Sequence, residues 1–115
     1  VTDKHDKKIK LSEADVKKLV TGWLNAHNIL WHFVPNQGTW NAKRGAYMTF
    51  KGHLGAPDIV AIVGGGYIGI ELKSSVGRLS PAQKECGSKI VAAGGKYLVI
   101  NGSLESMTFM SRVLL

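Results

Sequence analysis

A chain of 115 residues, 44% hydrophobic and 20% charged, has the size and mix of one globular domain, which excludes a disordered chain. A single cysteine, Cys86, excludes an internal disulfide framework and a multi-cysteine zinc site, and no apolar run approaches the roughly 20 residues of a membrane span. A net charge of +7 and a pI of about 9.7 point to a polyanionic partner, nucleic acid ahead of an anionic membrane.

In chain order, the opening VTDKHDKKIK is charged and lacks an apolar core, so it does not read as a secretory signal. Residues 1–11 are expected to be a mobile basic lead-in, residues 12–115 a single domain, and the location cytoplasmic. Ser12 with Asp15 forms a capping-box pattern. Val16, Leu19, Val20, Trp23 and Leu24 then recur at helical spacing up to Asn28, with Glu13 and Lys17 one turn apart. ILWHFV at 29–34 reads as a strand ended by Pro35. Residues 36–47, with Trp40, Lys43 and Arg44, show no period and read as a loop, and MTFKG at 48–52 as a short strand. Asp58–Val63, a glycine turn and Tyr67–Lys73 read as a hairpin. Ser80-Pro81 opens a helix that stops at Gly94-Gly95. KYLVIN at 96–101 follows, parallel to the second hairpin strand by a right-handed crossover. SLESMTFMSRVLL reads as a short amphipathic helix serving an interface or covering the sheet. The order is α-β-β-β-α-β-α.

Acids are scarce, and their placement carries the functional signal. None lies between Val16 and Pro57, whereas Lys17, Lys18, Lys43, Arg44 and Lys51 do. Asp58 and Glu71 then appear at the ends of two apolar runs, with Lys73 two residues beyond Glu71. Alternation puts Glu71 and Lys73 on one face of their strand. A hairpin turning at 64–66 brings Asp58 near the level of Leu72–Lys73. Two carboxylates that close repel each other, and a divalent cation removes the cost. Oxygen ligands suit Mg²⁺ or Mn²⁺, which activate water and offset phosphoryl charge. A lysine beside them can stabilise a pentavalent phosphate. Read singly, E-x-K is often a surface ion pair of little worth, and Pro-Asp often only a turn. The glycine run is not a phosphate loop, since no Gly-Lys-Ser/Thr follows it. His5, His27, His32 and His53 lack metal-ligand spacing. Cys86 reads as a small core residue.

Pro57-Asp58 with Glu71-Leu72-Lys73 resembles the PD-(D/E)XK nuclease signature. The wider pattern is G-x-P-D at 55–58, GRLSPAQ at 77–83 and AGG at 93–95. It resembles the virus-type replication-repair nuclease (VRR-NUC) domain over roughly residues 12–101. The resemblance implies a restriction-endonuclease-like α/β core, a mixed central sheet flanked by helices. It implies catalytic roles for Asp58, Glu71, Lys73 and Gln83. It implies a metal shell of Asp58, Glu71, the Leu72 backbone carbonyl and Glu13, although Glu13 also fits a plain helix-start acid. Small stand-alone members resemble archaeal Holliday-junction resolvases, which implies a homodimer.

The expectation is a Mg²⁺- or Mn²⁺-dependent DNA endonuclease acting on branched DNA. Lys43, Arg44, Lys51, His53, Arg78 and Lys84 are its candidate DNA contacts. The alternatives are a monomeric flap or nicking nuclease and a non-catalytic DNA-binding module.

Overall fold

A computed structural model describes residues 10–35, 39–48 and 54–115. Its elements are α1 (Glu13–Ala26), β1 (Leu30–Phe33), β2 (Thr39–Asn41), β3 (Ala46–Met48), β4 (Ile59–Val63), β5 (Gly66–Leu72), α2 (Pro81–Ala92), β6 (Lys96–Ile100) and α3 (Leu104–Leu114). Four strands form one mixed sheet in the order β1-β4-β5-β6. With the three helices, this sheet reproduces the expected α-β-β-β-α-β-α order.

The local signals act as their chemistry requires. Ser12 accepts from the Asp15 N–H and Asp15 accepts from the Ser12 N–H, so the capping box closes. Past the C-cap His27, Asn28 takes φ +54°, a left-handed stop that asparagine tolerates. β4 and β5 turn through Gly64 and Gly65, at φ +57° and +79°. Two positive-φ residues are what the tightest antiparallel hairpins need. β6 runs parallel to β5, reached through α2.

The core lies on one side of the sheet. Val16, Val20 and Leu24 of α1 and Met110 and Leu114 of α3 pack against Ile59, Ala61, Ile68, Ile70, Leu72, Leu98 and Ile100. These strand residues share one side of the pleat. Leu19, expected to face inward, is 44% exposed, so the buried stripe of α1 is narrower than its apolar pattern. α3 covers the sheet through Met110 and Leu114 while Leu104 and Phe109 stay exposed. α2 lies over the opposite face and comes in closely. The Tyr97 ring occupies the space a side chain at Gly87 would need. Cys86 is partly buried there.

One expectation is corrected. The segment read as a loop contains a two-stranded antiparallel ribbon, β2-β3, separate from the main sheet. Strands of three residues are too short to show a period, and local pairing across the turn at 42–45 holds them. The strand expected at 48–52 begins inside β3, and its remainder lies outside the described residues. Among the described residues no helix is long and apolar enough to cross a membrane.

Candidate active site

The hairpin register pairs Ile59 with Ile70 and Val60 with Gly69. That is one residue off the expected register, and continuing it one step past the start of β4 sets Asp58 level with Glu71 itself. By alternation Glu71 sits on the face beneath α2, with Gly69 and Val60, while Asp58, in the bend before β4, also lines a cavity beside α1.

The glycine and proline of the G-x-P-D stretch explain how Asp58 is held there. Gly55 has φ +74°, and any side chain on it would overlap the Ala82 carbonyl in the first turn of α2. Pro57 is fully buried and lies over Gly69, where an added Cβ would come within 2.9 Å of the proline ring. The segment is thus clamped between α2 and β5. Asp58 completes it: its Oδ2 accepts a 2.8 Å bond from the Leu72 N–H.

Glu71 is only 2% exposed. Its Oε1 accepts a 2.7 Å bond from Gln83 Nε2 and lies 3.9 Å from Lys73 Nζ. The Gln83 amide has one possible orientation. Its Oε1 accepts the Ser80 N–H at 2.8 Å, while the Ser80 hydroxyl accepts the Gln83 N–H. The capping box of α2 therefore aims the amide nitrogen at Glu71. The other carboxylate oxygen, Oε2, is buried and receives no hydrogen-bond donor.

Burial pushes the Glu71 carboxyl up to about 8. The charge of Asp58 and a hydrogen bond with it push in the same direction, Lys73 opposes them, and Glu13 adds a small upward push. Two carboxylates this close must share a proton or a cation. This donor set suits Mg²⁺ or Mn²⁺, which bind through one or two carboxylates and keep several waters. Among the described residues no three His, Cys, Asp or Glu side chains come close enough to hold a metal by themselves. Glu13 lines one cavity of about 480 Å³ with Asp58 and Leu72 but does not close into such a triad. The start of α1 is tied to the site by a reciprocal pair: the Leu11 N–H donates to the Ser75 hydroxyl, and the Ser75 N–H donates to the Leu11 carbonyl.

No protein-family model, curated protein or solved structure matches this chain. The resemblance to VRR-NUC domains rests on the motif residues of the sequence alone.

The fold brings Asp58, Glu71, Lys73 and Gln83 into one cluster. Among the candidate DNA contacts, Lys43 and Arg44 are exposed at the turn between β2 and β3. Arg78 is exposed in the loop before α2, and Lys84 is exposed beside Gln83. Lys51 and His53 lie outside the described residues. Two residues escaped the sequence reading as members of the site. Lys17 lines the cavity of Asp58, and its spacing from Glu13 was the available signal. The Tyr97 hydroxyl is buried without a partner, and burial, then Glu71, push its ionisation up. A tyrosine in an apolar strand gave no signal for that.

Proposed function

We propose that this chain is a divalent-metal-dependent DNA endonuclease with a restriction-endonuclease-like core, acting on branched DNA as a homodimer. The observation that carries this reading is the buried Glu71 carboxylate beside the half-buried Asp58, with Lys73 next to it. Burying Glu71 under a helix, next to a second acid, costs stability, and nothing in the packing requires it. In a strongly basic chain, such a pair serves a site that must bind a cation next to a phosphate.

Asp58 is fixed by the Leu72 N–H and Glu71 by the Gln83 amide, so both acids are oriented before any ligand arrives. Asp58, Glu71 and the Leu72 carbonyl would hold a Mg²⁺ or Mn²⁺ ion, which would supply Lewis acidity and activate water for phosphodiester hydrolysis. Lys73 is largely buried and donor-only, placed to stabilise the charge that develops on the phosphoryl oxygens. The exposed Lys43, Arg44, Arg78 and Lys84 supply phosphate contacts, which position the backbone without reading sequence. Symmetric cutting of two strands calls for two sites related by a two-fold axis, which a homodimer provides.

The test is cleavage of labelled four-way junction, flap and duplex DNA with Mg²⁺, Mn²⁺ or chelator. Metal-dependent cutting by the wild type, lost in Lys73→Ala, is expected, with paired symmetric cuts on the junction. Binding without any cutting would leave a non-catalytic DNA-binding module instead.

A further inference from the structure

The cavity that begins at Asp58 and Leu72 does not end there. It runs to Phe33, Val34 and Pro35, with Lys17 on its wall. Its volume of about 480 Å³ is in the range of small-ligand sites. Phe33 ends the edge strand β1 with 46% of its surface exposed. Trp31 braces its ring in an edge contact, with centroids 4.9 Å apart and planes at 81°. Lys17 Nζ lies over the ring, 4.5 Å from its centroid.

Phosphate recognition requires cations and donors, not an exposed aromatic ring. We propose that this cavity takes one unpaired nucleotide next to the scissile phosphate, its base stacked on Phe33 and its phosphate paired with Lys17. The identity of the ligand rests on the nuclease reading above. Magnitudes decide which group holds the ring. An exposed ammonium over an aromatic ring is worth about 2- to 5-fold in affinity, and a base on an aromatic ring about 5- to 150-fold. A nucleotide thus displaces the ammonium from Phe33 and offers it a phosphate a short reach away. A paired base in a duplex is already stacked on its neighbours and cannot make this exchange. The cavity therefore selects DNA in which a nucleotide beside the cut is unpaired, as at a branch point.

The experiment compares binding of two labelled ten-residue oligomers, one oligothymidylate and one abasic deoxyribose phosphate, with Ca²⁺ in place of Mg²⁺. Both carry the same charge, so their difference reports the bases. The wild type is expected to prefer the thymidylate at least about 5-fold. Phe33→Leu erases the preference, Phe33→Trp keeps it, and Lys17→Gln weakens binding of both oligomers and lowers the salt slope by about one. A wild type with no preference overturns the proposal, as does Phe33→Leu with the preference intact. Because the wild-type comparison needs no variant, a folding defect in Phe33→Leu does not blunt the test. Binding is read without cleavage, so a protein that stacks bases but never cuts would keep this site and lose the nuclease.

Discussion

Glu71 shows how far a single residue can be held from its ordinary state. A glutamate in the unfolded chain ionises near 4.5, whereas burial and the neighbouring Asp58 hold this one up to about 8. Between those values the folded state keeps a proton that the unfolded state has released. Stability therefore falls as pH rises through that window and levels off above it. In chelator, Glu71→Gln is expected to remove this slope and to gain on the order of 1–3 kcal/mol over the wild type near pH 8, with little gain near pH 4. Denaturant unfolding at both pH values checks it; parallel curves would show that Glu71 titrates normally. If the proposed metal site forms, the same residue would link metal binding to protons. Cation binding must displace the Glu71 proton, so Mn²⁺ affinity should climb between pH 6 and about 8 and flatten beyond. Calorimetry in two buffers of different ionisation enthalpy reads the proton release directly.

Among the elements, α2 links stability to the site most tightly. Its capping box satisfies the first-turn amides and also fixes the Gln83 amide against Glu71. Ser80→Ala is expected to cost about 1 kcal/mol of stability, the usual cost of losing an N-cap. It should leave cleavage largely intact, because the Ser80 N–H that orders the Gln83 amide remains. Gln83→Ala removes the contact to Glu71 but leaves Ser80 as N-cap, so it should lower activity with a smaller loss of stability. Equal losses of both stability and activity in the two variants would show that Gln83 acts through the cap alone. Gly55→Ala acts at the other end of the same packing. It combines a positive φ with an overlap on the Ala82 carbonyl, and at least about 2 kcal/mol of destabilisation is expected in thermal unfolding.

At the scale of the whole molecule, net charge and the proposed two-fold symmetry set the expectations. A chain of net charge +7 should bind DNA with a steep salt dependence. Lys43→Ala with Arg44→Ala is expected to weaken binding and lower the slope of log affinity against log salt by up to about two. An unchanged slope would take the β2-β3 turn out of the interface. Sedimentation across a concentration series should give twice the monomer mass. A monomer at every concentration would favour the flap or nicking reading over symmetric junction cutting.

Features that depend on near neighbours were legible in the chain before it folds. The caps at Ser12 and Ser80, the helix stop at Asn28 and the glycine turn of the hairpin rest on interactions spanning a few residues. The spacing of Asp58, Glu71 and Lys73 along paired strands follows from a period of two and one tight turn, so their meeting was legible to within one residue of register. The ribbon β2-β3 was not, because three-residue strands carry no period. The rest came from tertiary packing. It aimed the Gln83 amide at Glu71, tied α1 to Ser75, buried the Tyr97 hydroxyl and joined Lys17 and Phe33 to the cavity of Asp58. Each of these joins separate elements, and their separation is set by how side chains fill the space between helix and sheet. That packing is a property of all the elements together, so no local pattern records it.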